Sequence, residues 1–439
     1  MKRLAFQIVR EWRNNPHRKP LVLRGARQVG KTFLARQAGA ELFINMVEIN
    51  FEFSPEMAVI FQKNLDPERI VRELELFTGQ TITPGETLLF LDEIQYEPQA
   101  LLALRYFYEK MPTLHVIAAG SLLEFAIETV GIPVGRLNFL WLRPLSFIEF
   151  LMANQLPKLA EEILQHPITE EMSTPIHEKL LQHLSEYMCV GGMPESVLTW
   201  SKNKNLQECQ LILDDIITSY QQDFEKFSKK HQIKFIDLLF KNIPLQLSQP
   251  FFYSKVSNDY RKRELSPCVD LLKKAGIIHQ VYRSAANGIP LGATADLEKF
   301  KLIFIDVALT QQILGLKTQD WILNPAQSFI NKGALVESLV GQEMLAYSSV
   351  RQDAQLYYWQ NNKRNSEAEV DYVIQHNTDI IPIEVKSGKG TTLQSMHVFL
   401  KQHSTPYGIR FSTHNYSQHE KILSYPLYAI AHALETLSP

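Results

Sequence analysis

Along the first 150 residues, short apolar runs alternate with segments of helical period. The runs are Leu21-Val22-Leu23, Met46-Val47-Glu48-Ile49, Leu88-Leu89-Phe90-Leu91 and His115-Val116-Ile117-Ala118-Ala119. Such alternation predicts a parallel sheet with crossover helices. The run Leu88 to Leu91 is apolar on both faces, as expected of a central strand covered on both sides. A helix is expected around Ala100 to Lys110, and residues 1–11 read as a short amphipathic helix in which charge arrives too soon for a signal-peptide core. From Leu145 to Phe227 the pattern is nearly all helical, and from His231 to Arg283 short helices lead into the apolar run Ile277 to Tyr282. Beyond Asn331 a helix around Leu335 to Met344 precedes β-rich runs at Leu356 to Trp359, Val370 to Ile374 and Ile380 to Lys386. The hydrophilic stretch Gln360 to Glu367 reads as a hairpin loop. These shifts divide the chain into blocks at residues 1–150, 151–228, 229–330 and 331–439.

Composition narrows the class. A chain of 439 residues is long enough for two to four domains, and 45% hydrophobic content excludes wholesale disorder. The net charge of −2 argues against a surface coated for nucleic acid and leaves room for a local basic groove. Cys189, Cys209 and Cys268 are too scattered to staple a fold or hold a metal, so a reducing, cytoplasmic setting is expected. No run approaches the roughly 18–20 apolar residues of a membrane span, so no membrane partner is expected.

The densest chemistry lies at Gly25-Ala26-Arg27-Gln28-Val29-Gly30-Lys31-Thr32, which fits G-x-x-x-x-G-K-[ST] between a candidate strand and a helix. Glycines let successive N–H groups curl around a phosphate at a helix N-terminus. Lys31 brings positive charge to the β- and γ-phosphates, and the Thr32 hydroxyl suits Mg²⁺. The apolar run ending in Asp92-Glu93 supplies the matching acids: Asp92 for the Mg²⁺ shell, Glu93 to polarise the attacking water. A coincidental turn with an acidic helix start explains either motif alone and poorly explains both in this order. ATP with Mg²⁺ is the expected ligand.

The Asp92-Glu93 pair resembles AAA+ ATPases, in which the second acid is the catalytic glutamate. By that resemblance Ser121, after Gly120, takes the place of a γ-phosphate sensor, where Asn is commoner; the alternative is a helix N-cap. Arg136, in Pro133-Val134-Gly135-Arg136, is either a charge-stabilising arginine, acting in cis or in trans within an oligomer, or a surface residue. Further landmarks follow in order: Gly120-Ser121-Leu122-Leu123, Pro144-Leu145-Ser146-Phe147-Ile148-Glu149-Phe150, Gly191-Gly192-Met193-Pro194-Glu195 and Ile383-Glu384-Val385-Lys386-Ser387-Gly388. Together with the phosphate loop and Leu91-Asp92-Glu93-Ile94-Gln95, they make the chain resemble, from about Arg18 to about Leu400, the prokaryotic AAA-type ATPases with a C-terminal restriction-endonuclease-like domain of unknown function. The resemblance implies an α/β fold: a P-loop NTPase parallel sheet, a helical lid, a winged-helix region and a C-terminal PD-(D/E)xK-like domain. Gly191 to Glu195 reads physically only as a helix stop and turn.

PD-(D/E)xK nucleases hold Mg²⁺ with carboxylates at a strand fork and use a lysine on water. Asp371, Glu384 and Lys386 offer that set, with Glu384 and Lys386 on one face of a strand and Ile381, Ile383 and Val385 on the other. Glu337, on the preceding helix, resembles the additional acid of that fold. The alternative is a charged outer face with Asp371 pairing locally. Within 231–283, Glu264 to Ala275 is the candidate recognition helix, stopped by Gly276 and preceded by Tyr260-Arg261-Lys262-Arg263. DNA contact and a purely structural role both stand. Either the chain couples ATP hydrolysis to a nuclease-like, DNA-interacting module, or it is an ATP-dependent switch that binds a protein partner and does not cleave.

Overall fold

The fold is that of a computed structural model describing residues 2–131, 135–361, 368–387 and 393–436. Five strands form the first sheet among the described residues: β1 (Leu21–Arg24), β2 (Asn45–Asn50), β3 (Thr87–Asp92), β4 (His115–Ala119) and β5 (Asn138–Trp141). All pair in parallel, in the order β2-β3-β4-β1-β5. Every residue of β3 and β4 is buried, which follows from helices on both faces. Helices Ala5–Asn14 and Lys31–Leu42 cover one face, and Pro67–Thr78 and Pro98–Lys110 cover the other. The sequence pattern misses β5, whose four residues Asn-Phe-Leu-Trp are too short and half-exposed to stand out.

Helices then run from Phe147–Ala153 to Lys262–Lys274, the longest being Leu206–Phe227. A second sheet contains β6 (Ile278–Ser284), β7 (Ala295–Phe304), β8 (Leu356–Gln360), β9 (Glu369–His376), β10 (Asp379–Lys386), β11 (Gly408–Ser412), β12 (Ser417–His419) and β13 (Ile422–Pro426). Its order is β12-β13-β11-β10-β9-β8-β6-β7. The hairpin β6–β7 precedes residue 331, yet β6 pairs in parallel with β8, Val281 opposite Leu356 and Ser284 opposite Trp359. The expected blocks 229–330 and 331–439 therefore contribute strands to one sheet. Residues 362–367 of the expected hairpin loop lie outside the described residues, but β8 and β9 on either side pair antiparallel.

Helix Gly333–Tyr347 packs on this second sheet, and at Gly341 a Cβ would stand 2.2 Å from Ile303 Cδ1 and 2.5 Å from the Tyr372 hydroxyl. The three cysteines are free and buried. Among the described residues no helix is long and apolar enough to cross a membrane.

Candidate active site

The phosphate-loop residues join β1 to the N-terminus of helix Lys31–Leu42, as their motif predicts. Gly25 takes φ +136° against the chain leaving β5: a Cβ there would meet the Leu142 carbonyl oxygen at 2.2 Å. Gly30, at φ +95°, turns the loop into the helix, whose first N–H groups have no partner within the helix and no side-chain cap. Lys31 is buried, its ammonium donating to the Gly25 and Ala26 carbonyls at 2.9 and 2.7 Å, and burial pushes its pKa down to about 8.

Asp92 ends β3, two strands from β1, with β4 between them. The Thr32 hydroxyl donates to Asp92 Oδ2 at 3.0 Å, so the expected Mg²⁺-facing pair is brought together. Burial, then the neighbouring Glu93, raises the Asp92 carboxyl. Hydroxyl and carboxylate oxygens are the hard donors that Mg²⁺ takes, and the pair fits that ion. Glu93 adopts a left-handed backbone, φ +50°, uncommon for a residue with a side chain. Its Oε2 accepts from Gln95 Nε2 at 2.5 Å. Gln95 in turn abuts Gly120 at the end of β4, where a Cβ would stand 2.3 Å from Gln95 Oε1. Sequence reasoning missed Gln95 as an orienting residue; its place two positions after the second acid was the available signal. Ser121 is buried beside this point, and helix Leu123–Val130 starts without a side-chain cap, which removes the N-cap alternative.

Arg136 corrects the expectation of action in cis. It precedes β5, whose Asn138 pairs with Leu21 at the start of β1, whereas the phosphate loop follows the end of β1. It lies at the opposite edge of the sheet and pairs with Glu109 at 3.0 Å. Its neighbours Pro133 and Val134 lie outside the described residues.

Three braces hold the loop, none legible in sequence because each partner is remote. Arg3 donates to the Val29 carbonyl at 2.9 Å and to Glu149 at 3.0 Å. Glu149 also forms a capping box with Ser146, which gives the Pro144 to Phe150 landmark a physical meaning. Arg27 pairs with Asp223 of helix Leu206–Phe227 at 3.0 Å, and the Tyr220 hydroxyl donates to the Arg27 carbonyl at 2.9 Å. Gly191 ends helix Thr174–Val190 at φ +74°, as read, and the following turn sets Pro194 against Gly30.

Beside Gly25 and Ser121 opens a cavity of about 320 Å³, whose walls include Arg143, Lys273 and His279. Arg143 donates to His279 Nε2 at 2.6 Å and to Asp353 at 2.9 Å, and burial, then Arg143, holds His279 well below its usual range. Lys262–Lys274 forms the expected helix and Gly276 stops it at φ +73°. However, Lys273 and Lys274 at its C-terminal end line this cavity instead of a free outer surface, and Lys262 pairs with Glu298. The hairpin that follows is fixed in the second sheet.

In the C-terminal region, Glu384 and Lys386 share a face as expected, 2.6 Å apart, but Glu384 is buried, which overturns the charged-outer-face alternative. Asp371 accepts from the Val385 N–H at 2.8 Å. Lys301 of β7, absent from the sequence reading, donates to Glu337 at 2.9 Å and pairs with Glu369 at 2.7 Å. Its signal was a lone charge in the apolar run Phe300 to Ile305. Burial raises Glu337 to about 8 and Glu384 to about 7, in each case with Asp371 as the next cause, and burial raises Asp371 too. Among the described residues no three His, Cys, Asp or Glu side chains gather closely enough to hold a metal ion. Of the expected metal set, Glu337 is paired with the Lys301 ammonium and Glu384 with that of Lys386, while Asp371 accepts from the backbone. Gly388 lies outside the described residues.

Residues 17–151 match a family model described as an AAA domain, 181–320 a domain of unknown function (DUF8612) and 332–430 another (DUF4143). No curated protein matches the chain. Among solved structures, a Walker-type ATPase of Pyrococcus abyssi is similar at 15% identity and TM-score 0.45, over 71% of this chain and 94% of that one. The Aeropyrum pernix Orc1 protein in complex with DNA aligns at 12% identity and TM-score 0.29, over 72% and 93%. The Drosophila ORC bound to DNA aligns at 11% and 0.26, over 71% and 84%.

Proposed function

Residues 17–151 form an AAA-type P-loop ATPase domain, and from that premise we propose that the chain hydrolyses Mg-ATP and couples hydrolysis to a nuclease-like, DNA-interacting C-terminal module. The observation that carries the ATPase half is the convergence of Lys31, Thr32, Asp92 and Glu93 at one edge of the first sheet. Thr32 and Asp92 would hold Mg²⁺, which supplies positive charge against the phosphates when bound. Lys31 leaves the Gly25 and Ala26 carbonyls to meet the phosphates. Glu93, fixed by Gln95, orients water and accepts its proton at the carboxylate. Ser121 donates to the terminal phosphate from the end of β4. Arg136, turned away from its own loop, acts only in trans, in an oligomer.

The test combines binding with phosphate release. Lys31→Ala abolishes nucleotide binding, whereas Glu93→Gln still binds ATP and hydrolyses it about 10²–10⁴-fold more slowly. Wild-type turnover in both variants contradicts the assignment.

A second reading, an ATP-dependent switch that binds a protein partner without cleaving, is favoured by Lys301 standing among the C-terminal acids. Incubating wild type and Lys386→Ala with DNA, Mg²⁺ or Mn²⁺ and ATP separates the two. Cleavage lost in the variant supports the nuclease; equal background in both supports the switch.

A further inference from the structure

Lys301 lies in β7 with its side chain enclosed. Its ammonium is 2.9 Å from Glu337 Oε1, 2.7 Å from Glu369 Oε1 and 5.1 Å from the centre of the Tyr358 ring. Two charge-assisted hydrogen bonds and an aromatic face nearly complete the surroundings of a group with three donors. A second ammonium, Lys386, lies 2.6 Å from Glu384 Oε1. Helix Gly333–Tyr347 comes close enough for this because Gly341, one turn beyond Glu337, lets it sit tightly on Ile303 and Tyr372. The Tyr372 hydroxyl then donates to the Glu337 carbonyl at 2.8 Å.

On the nuclease-like reading proposed above, on which this inference rests, the chain carries its own cation where carboxylates would gather around a divalent ion. An ammonium and a metal ion compete for the same lone pairs, and two cations a few ångström apart in a buried site repel strongly. The Glu337 and Glu369 oxygens that face Lys301 are already taken.

We propose that Lys301 is the resident cation of this acid cluster, holding Glu337 and Glu369 in place of a divalent metal, so that the C-terminal module works without one. Because β7 belongs to the hairpin that precedes residue 331, the ammonium also fastens that hairpin to the module. Without that charge the same acids are free to draw together on a divalent cation.

The test counts Mn²⁺ bound to the full-length chain by electron paramagnetic resonance, without nucleotide, so its result is independent of ATP turnover. Asp371→Asn is expected to leave the wild-type count unchanged. Lys301→Met is expected to gain one Mn²⁺ per chain, and adding Glu369→Gln removes it again. A wild-type Mn²⁺ that disappears in Asp371→Asn overturns the proposal, as does a folded Lys301→Met chain with no added ion. Should Lys301→Met fail to fold, the comparison of wild type with Asp371→Asn decides alone.

Discussion

His115 begins β4 at the edge of the sheet away from the phosphate loop. Trp12 and Phe43 meet its ring edge-on at 5.8 and 4.9 Å, and its Nε2 donates to the Arg13 carbonyl at 3.3 Å. Burial, then the charge of Arg18, lowers its pKa to about 4. The unfolded chain titrates near 6.5, so between these values it binds a proton that the folded chain refuses. Stability from this residue is intact above pH 6.5 and falls as pH drops toward 4. In thermal melts from pH 7.5 to 4.5, wild type should lose Tm faster than His115→Gln; parallel curves would refute the assignment. Gly120 makes a different residue-scale point. It looks like a flexible turn, yet its missing Cβ is what lets Gln95 reach Glu93.

At the scale of elements, one buried carboxylate joins two helices near the phosphate loop. Asp306 caps helix Val307–Ile313 by accepting from the Ala308 and Leu309 N–H groups at 2.9 and 3.1 Å. Its other oxygen accepts from the Gly192 N–H at 2.7 Å, fixing the turn that sets Pro194 against Gly30. Asp306→Ala leaves three buried N–H groups without an acceptor. Loss of the cap costs about 0.5–2 kcal/mol, and an unsatisfied buried donor costs about 1–3 kcal/mol. A loss of roughly 1.5–5 kcal/mol is therefore expected in urea unfolding, with Asp306→Asn between it and wild type; a loss below about 1 kcal/mol contradicts this account. The Gly191 stop was readable because the residue type itself carries the left-handed turn. The clamp on it was not, because Asp306 lies more than a hundred positions away.

The whole molecule is fastened by contacts that cross every block boundary. Glu343 of helix Gly333–Tyr347 accepts from the Phe147 N–H at 3.0 Å and from the Tyr187 hydroxyl at 2.9 Å, joining the second sheet's helix to the start of the helical region. The hairpin β6–β7 completes the C-terminal sheet and brings Lys301 to its acids. A fragment starting at residue 332 lacks both. It exposes the unpaired side of β8 and leaves buried carboxylates without their cation, a change that costs about 3–5 kcal/mol for a broken buried pair. Circular dichroism should show it melting without cooperativity; a cooperative melt at the full-length Tm would contradict this picture.

The sequence by itself determined the elements of local origin. The phosphate loop, the acid-ended strand Leu88 to Asp92, the glycine stops at 191 and 276, and the shared face of Glu384 and Lys386 depend on residue type and spacing, and each is found where expected. Tertiary structure decided whatever depends on which distant segments meet. It turned Arg136 to the far edge of its sheet, drew β6 and β7 into the C-terminal sheet, and set an ammonium against Glu337, an acid that the family resemblance implies for a metal. The physical reason is that periodicity fixes which face a side chain takes, while strand pairing and helix packing fix what that face meets.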